Sequence, residues 1–134
     1  MSTAPHFHDG WIAAWNEAMA SGDSAPIEAF LAPDYHGWLG QEAAAAHPFD
    51  AEAARKGFRD AVSGMLGSIV HAGFRTVAPR GPDEAVVCYE MTYRSGSSVT
   101  GRALLMESWQ LINNRWTLRR DFTEVNAGEP ARQQ

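Results

Sequence analysis

The sequence predicts an α+β domain in which N-terminal helices pack on one face of a strongly curved antiparallel sheet. Helical periodicity is concentrated before residue 70, whereas the chain from His71 onward alternates apolar and polar residues with a period of two. The two longest alternating runs meet at Asn113-Asn114, a dipeptide typical of tight β-hairpin turns. Helices that precede a run of antiparallel strands favour the α+β class, in which the helices lie together on one side of the sheet.

The size and charge of the chain limit its possible functions. With 134 residues, 45% hydrophobic and 20% charged, it has the composition of an ordinary globular domain rather than a fibrous or disordered protein. We expect a single domain over 1–134, with an ordered core at about 6–126 and a polar, disordered tail at 128–134. A net charge of −5, with eleven scattered Lys and Arg residues, argues against nucleic acid as a partner, because phosphate binding needs a basic patch.

The chain contains one cysteine, Cys88, so an internal disulfide is excluded and a reducing compartment is favoured. No basic-then-apolar leader opens the sequence, and no run approaches the roughly eighteen apolar residues of a membrane span. The five histidines lack the spacing of metal ligands. We therefore expect a soluble, cytoplasmic protein with no membrane partner, no metal and no cofactor.

The first two predicted helices lie close together. Residues 6–20 place their apolar side chains on one helical face, which includes Trp11 and Trp15. His8 is expected near a frayed end of this helix. After a Ser-Gly-Asp break, a short second helix carries Pro26 in its first turn.

The third predicted helix begins after Asp50, a typical N-cap residue. Between the second and third helices, the alanine-rich segment 41–48 fits either a loose helical turn or a mobile connection. The predicted buried face of the third helix consists of Ala54, Phe58, Ala61, Val62, Met65 and Ile69.

Strands follow from β-branched and aromatic content together with turn residues. A short strand is predicted at 35–39, closed by Gly40, and further strands at 71–78 and 85–94. The segment 99–125 forms a long hairpin around the two asparagines. The last four strands are therefore expected to form an antiparallel meander.

A two-residue turn fixes the predicted pairing across this hairpin. One face carries the pairs Leu111–Trp116, Trp109–Leu118, Glu107–Arg120 and Leu105–Phe122. Trp109, Leu118 and Phe122 should accordingly be almost fully buried against the helices. The opposite face carries Leu104 and Met106, and it also receives Asp121 beside Arg119.

Three stretches carry a resemblance to a known superfamily. They are the Trp-x-x-x-Trp pattern of the first helix, the segment Ser-Gly-Asp-Ser-Ala-Pro-Ile-Glu-Ala-Phe-Leu-Ala-Pro-Asp at 21–34, and the Glu-Ser-Trp and Asn-Arg-Trp motifs at 107–109 and 114–116. On these residues, and over nearly its whole length, the chain resembles the nuclear transport factor 2-like superfamily, which includes ketosteroid isomerases and SnoaL-like polyketide cyclases. The resemblance implies a cone-shaped NTF2-like (cystatin-like) fold. It does not specify function, because that superfamily contains isomerases, cyclases, dehydratases, epoxide hydrolases and binding proteins.

The resemblance also implies that a small apolar molecule binds inside the cone, between the concave sheet face and the helices. Filling of the cone by these same side chains, with no pocket, is the alternative. The residues expected to line it are Trp11, Trp15, Tyr35, Trp38, Phe58, Met65, Leu105, Glu107, Trp109, Leu118, Arg120 and Phe122.

Glu107 and Arg120 are the leading candidates for catalysis. A carboxylate on an apolar wall needs a partner, and the opposed guanidinium can hold it ionised while it offers N–H donors to a ligand carbonyl. A structural ion pair is the alternative. Tyr35 or Tyr89 is a candidate hydrogen-bond donor and His36 a candidate acid-base group, against the alternatives of simple packing and a solvated loop histidine.

Two functional comparisons follow from the resemblance. Ketosteroid isomerases place an aspartate base just after the short second helix, and the matching stretch here, His-Gly-Trp-Leu at 36–39, contains no carboxylate. Polyketide cyclases use an acid on a late strand, where this chain has Asp121, although the predicted pairing turns Asp121 outward.

Two classes of function therefore remain. The first is a cofactor-independent isomerase, cyclase or lyase that acts by proton transfer on a small apolar carbonyl or polycyclic compound. The second is a non-catalytic ligand-binding or dimerisation module. In either case a homodimer through the outer sheet face is expected, because Leu104 and Met106 would otherwise expose apolar surface to water.

Overall fold

Helices and strands follow the predicted order closely. The computed structural model of the chain describes residues 4–41 and 44–125, with side chains at 7–40 and 48–125. The polar tail predicted at 128–134 lies outside the described residues. The elements are α1 (Ala4–Ser21), α2 (Ala25–Glu28), β1 (Leu31–Gln41), β2 (Ala44–Asp50), α3 (Ala51–Gly64), β3 (Ile69–Pro79), β4 (Glu84–Ser95), β5 (Ser98–Ile112) and β6 (Arg115–Val125).

The buried face of α1 forms much of the core. Trp11 and Trp15 are buried on it, as the helical spacing predicts. His8 lies one turn before Trp11 on the same face and is also fully buried, so the expectation of a frayed end at this residue was wrong. An N-terminal turn that packs against the sheet is held in place by tertiary contacts, whatever its distance from the end of the chain.

Helix α3 begins as predicted and ends earlier than predicted. The Asp50 Oδ1 atom accepts a hydrogen bond from the Ala53 N–H at 3.0 Å, which confirms the N-cap. The helix ends at Gly64, and Gly67 adopts a positive φ of 87° that directs the chain into β3. Ile69 therefore belongs to β3 and is 62% exposed, so its predicted burial on α3 was wrong.

The six strands form one curved, open sheet in the order β2-β1-β6-β5-β4-β3. The sheet is mixed rather than fully antiparallel, because β1 pairs with β6 in parallel. Residues 44–50 form β2, an antiparallel partner of β1, and thus neither a helical turn nor a loose connection. β1 itself runs past the predicted stop at Gly40. None of the helices in the described part of the chain has the length and apolarity needed to cross a bilayer.

A β-bulge in β6 changes the pairing predicted for the final hairpin. Asn113 and Asn114 both have positive φ, as a tight turn requires, and Trp109 pairs with Leu118 as predicted. The next pair is Ser108 with Arg120, so one residue of β6 is left without a partner on β5.

Beyond the bulge, every side chain of β6 lies on the face opposite to the predicted one. Glu107 faces Asp121, and Arg120 and Phe122 lie on the outer face. The burial predicted for Trp109 and Leu118 is confirmed, since both have zero exposure. The inward position predicted for Phe122 and the Glu107–Arg120 pair were both wrong.

Hydrogen bonds to residues distant in sequence stabilise the bulge in β6. The Leu118 N–H donates to the carbonyl of Phe30 at 2.8 Å, so β6 bonds to the segment before β1 at this point. The side chain of the unpaired residue, Arg119, donates to Asp34 at 2.7 Å on β1. Both partners lie about 85 residues away in sequence, and for this reason local patterning does not predict the bulge.

Candidate functional site

A cavity of about 420 Å³ lies between α1, α3 and the concave face of the sheet. This volume suits a small organic molecule, and most of its wall is aromatic or aliphatic. The lining residues are Trp11, Trp15, Tyr35, Leu39, Phe49, Ala53, Ala54, Gly57, Phe58, Ala61, Met91, Tyr93, Leu105, Asp121, Thr123 and Val125. Among the described side chains that line it, none belongs to a lysine, arginine or histidine.

The polar part of this wall is a tyrosine–aspartate pair. The Tyr35 hydroxyl donates to Asp121 Oδ1 at 2.6 Å, and both residues are buried. Tyr35 is positioned by β1 and Asp121 by the part of β6 beyond the bulge. The parallel pairing of β1 with β6 brings the two strands together and so forms the pair.

Gly37 leaves the space that this pair occupies. It is the β1 residue opposite Asp121, and a Cβ atom there would collide with the Tyr35 hydroxyl and lie 2.5 Å from Asp121 Oδ1. Only glycine therefore allows the two side chains to meet at this position.

Burial alters the proton affinity of both groups. The pKa of Asp121 is raised to about 7, first because burial penalises the carboxylate and further because Glu107 carries a nearby negative charge. The Tyr35 hydrogen bond opposes this rise by stabilising the carboxylate. The pKa of Tyr35 is raised well above its ordinary value by burial and then by the charge of Asp121, so this hydroxyl stays a donor at neutral pH.

Glu107 lies behind the cavity wall in a fully bonded polar cluster. Its Oε1 atom lies 2.8 Å from His8 Nε2 and accepts from Trp109 Nε1 at 2.9 Å, while Oε2 accepts from the Tyr89 hydroxyl at 2.5 Å. The Trp11 indole N–H in turn donates to Tyr89 at 3.2 Å. Glu107 is 1% exposed and is not among the residues that line the cavity.

The candidate residues from the sequence fall into two groups. Trp11, Trp15, Tyr35, Phe58 and Leu105 line the cavity. The others lie elsewhere: Met65, Trp109 and Leu118 in the core, and Trp38, Arg120 and Phe122 along a groove on the outer face.

His36 also lies away from the cavity. It is half-buried and lines a separate open depression, which shares Phe49 and Ala53 with the cavity wall. Its ring packs edge-on against Trp38 at 5.1 Å. Its role as an acid-base group stays a prediction, and its ring has its hydrogen-bond contact with the Asp34 carbonyl, not with the Tyr35–Asp121 pair.

Sequence reasoning set aside two residues that the structure makes prominent, Asp121 at the cavity wall and His8 in the polar cluster behind it. Asp121 was assigned to the outer face, since a strict period of two hides a bulge. His8 was discounted for its position near the chain terminus. A usable signal existed for His8, because it lies three residues before Trp11 and seven before Trp15, on the same helical stripe.

Comparison with known structures identifies the fold. A protein of unknown function with a cystatin-like fold from Nostoc punctiforme superimposes with a TM-score of 0.72 at 19% identity, covering 97% of this chain and 96% of its own. An NTF2-like protein of unknown function from Pseudomonas putida gives a TM-score of 0.70 at 20% identity, covering 92% of this chain and 88% of its own. The chain has the NTF2-like fold.

A third similar structure with this fold is a putative calcium/calmodulin dependent protein kinase II association domain from Xanthomonas campestris. It superimposes with a TM-score of 0.67 at 17% identity over 90% of this chain and 86% of its own. No protein-family model matches the sequence, and no curated protein matches it either. The NTF2-like fold predicted from the residues is thus confirmed, while similarity at this level of identity carries no activity with it.

Proposed function

We propose that this chain binds a small, uncharged, mostly apolar carbonyl compound and transfers a proton on it without a cofactor. The observation that carries the proposal is a buried carboxyl group with a pKa of about 7, held by a tyrosine at the wall of an apolar cavity. A group with such a pKa is present in both protonation states near neutral pH, which is the condition for an efficient acid-base catalyst.

Asp121 and Tyr35 have distinct roles in this proposal. As a carboxylate, Asp121 removes a proton from the carbon next to the ligand carbonyl, and as an acid it returns a proton to the same or another atom. Tyr35 orients the carboxyl group and supplies a neutral hydrogen-bond donor at the cavity wall. Enolate-type isomerisation, aldol-type cyclisation and β-elimination by a lyase each begin with such a step on a carbonyl compound.

The lining of the cavity supports an uncharged ligand. With Asp121 at the wall and no cationic side chain among the described lining residues, a carboxylate or phosphate would meet no compensating charge. Aromatic faces from Trp11, Phe49 and Phe58 favour a flat, apolar ring system. A mono- or bicyclic ketone fits this description.

Exchange of ketone α-protons tests the proposal. In D₂O at pH 7, the wild-type chain should accelerate deuterium incorporation into 2-tetralone, followed by proton NMR, and Asp121→Asn should reduce this rate by about 100-fold or more. Asp60→Asn, a change of the same type on the exposed face of α3, should leave the rate unchanged.

Binding is measured separately with 2-naphthol, a stable mimic of the enol. It should quench tryptophan fluorescence, because Trp11 and Trp15 line the cavity. Quenching without any proton exchange would favour the non-catalytic binding module. The absence of both quenching and proton exchange would contradict the proposal.

We also propose that the outer sheet face forms a homodimer. Leu104 and Met106 are 46% and 55% exposed there, beside a groove of about 230 Å³ lined in part by Trp38 and Phe122. Light scattering at micromolar concentration should report twice the monomer mass for the wild type. The Met106→Lys variant should have the mass of a monomer. Leu66→Lys, which changes an exposed apolar residue outside the sheet, should keep the dimer. A wild-type monomer would contradict this proposal.

A further inference from the structure

The buried cluster around Glu107 has the form of a fixed negative charge. All three of its neighbours, His8, Trp109 and Tyr89, present an N–H or O–H group within 2.9 Å of a carboxylate oxygen. An ionised carboxylate accepts from all of them, since it has no proton of its own to place. Hydrogen bonds of this charge-assisted type are the strong ones in protein interiors.

Arg75 determines the tautomer of His8. Its Nη1 atom lies 3.1 Å from His8 Nδ1, and a guanidinium can only donate, so Nδ1 carries the lone pair. The proton of the neutral ring is then on Nε2, which donates to Glu107. The second Arg75 nitrogen donates to Asp9 at 2.7 Å, which holds the guanidinium at the surface. His8 thus stabilises Glu107 as a hydrogen-bond donor and does not neutralise its charge.

Glu107 lies directly opposite Asp121 in the β5–β6 register, and both side chains are buried on the inner face. Residues in such cross-strand positions have Cβ atoms about 4.5 to 5.5 Å apart. Neither Arg119 nor Arg120 lies between them, because Arg119 bonds to Asp34 and Arg120 is exposed on the outer face.

The remaining titratable groups around the two carboxyls are uncharged or distant. The α3 side chains at the cavity are apolar, and the described side chains of β2 contribute Phe49 to it. The titratable groups that surround the pair are Tyr35 on β1, Tyr89 and Tyr93 on β4, and His8 on α1. The nearest cation in the described part of the chain is Arg75, which lies on the far side of the His8 ring from Glu107 and is paired with Asp9. Among the described residues no cation lies between Glu107 and Asp121, so the charge of Glu107 acts on Asp121 directly.

We infer that Glu107 is a positioning residue that keeps Asp121 protonated near neutral pH from behind the cavity wall. It touches no ligand, and its effect on the reaction passes through Asp121. The effect of Glu107 on the reaction rests on the proposed function. The coupling between the two carboxyl groups does not, since it is measured without any substrate. The raised pKa of Asp121, to which the charge of Glu107 contributes, agrees with it.

Carboxyl carbon NMR on protein labelled with ¹³C aspartate and glutamate tests the coupling. In Glu107→Gln, the amide oxygen still accepts from His8 and Trp109, while the amide NH₂ replaces the acceptor of the Tyr89 O–H, so the variant loses the charge and one of the three hydrogen bonds. The Asp121 midpoint should fall by about one pH unit or more relative to the wild type. Glu124→Gln, which removes the same charge from an exposed position on β6, should leave the midpoint in place.

A purely structural Glu107 would give a different result. Tyr89→Phe removes one bond to Glu107 and keeps the charge, so it should destabilise the fold while the Asp121 midpoint remains raised. An Asp121 midpoint that is unchanged in folded Glu107→Gln would overturn the inference.

A reciprocal measurement covers the case in which Glu107→Gln fails to fold. Coupling between two sites is mutual, so in the wild type the Glu107 carboxyl carbon signal should show a step at the Asp121 midpoint that is absent from Asp121→Asn, and a wild-type Glu107 signal without such a step would overturn the inference. These results are separable from the proposed function. If Asp121→Asn abolishes proton exchange and the titrations show no coupling, the function stands and the role of Glu107 does not.

Discussion

Glu107 and Asp121 face each other across β5 and β6, yet their surroundings differ in almost every respect. Glu107 has hydrogen-bond partners for both oxygens and no contact with the cavity. Asp121 has one donor, Tyr35, and lies at the cavity wall. Two carboxyl groups held in such different environments favour different roles, and we propose a fixed charge for Glu107 and proton transfer for Asp121. The difference arises from the bulge in β6, without which Asp121 would lie on the outer face.

Removal of Trp109 should give the largest loss of stability, because it disrupts the buried cluster around Glu107. Trp109→Ala deletes a fully buried indole and one donor to the carboxylate, and it should lower the free energy of unfolding by about 3 to 5 kcal/mol. Urea denaturation followed by circular dichroism measures this loss. Trp38→Ala on the outer face is the matched control and should cost clearly less. Equal losses for the two variants would contradict the assignment of inner and outer faces.

The raised pKa of Asp121 should give the free energy of unfolding an unusual pH dependence. Its folded-state pKa of about 7 lies above the ordinary value of 3.8, so between these values the folded chain binds more protons than the unfolded one. The contribution is favourable below pH 4 and is lost as pH rises to 7, by about 1.4 kcal/mol per pH unit and about 4 kcal/mol in all.

Denaturation of Asp121→Asn and of the wild type between pH 4 and 8 isolates this contribution, since other carboxyl groups titrate in both proteins. The wild type should lose stability relative to the variant as pH rises over this range. A constant difference between the two curves would show that Asp121 titrates normally in the folded state.

Gly37 gives a smaller and more local test. Gly37→Ala places a methyl group against the Tyr35–Asp121 hydrogen bond and should cost about 1 to 3 kcal/mol in the free energy of unfolding. Gly57→Ala on α3 also lines the cavity, but its Cβ would meet nothing within 4 Å, so it should be neutral or stabilise the helix by up to about 1 kcal/mol. Thermal denaturation compares the two. If Gly37→Ala leaves stability unchanged, the Tyr35–Asp121 hydrogen bond does not depend on a glycine at this position.

The two halves of the final hairpin also show what sequence can predict. Near the turn, Asn113 and Asn114 set the backbone locally, and the predicted Trp109–Leu118 pair is confirmed. Beyond the bulge the register depends on contacts with residues 30–34, which no local period contains.

The helices and their caps were likewise predicted from local patterns, whereas the parallel β1–β6 pairing was not. The candidate site depends on this pairing and on the bulge. Sequence reasoning therefore found much of its apolar wall, including Trp11, Trp15 and Phe58, and misplaced its central acid, Asp121.

We propose that Asp121, and not Glu107, exchanges protons in the cavity near neutral pH. Titration of the wild-type Asp121 carboxyl carbon by NMR, assigned by comparison with Asp121→Asn, is the decisive test of this claim. We expect a midpoint near pH 7, and a fall in the 2-tetralone exchange rate as pH is lowered through the same value, because the carboxylate is the base. A midpoint near pH 4, the ordinary value for an exposed aspartate, would contradict the claim.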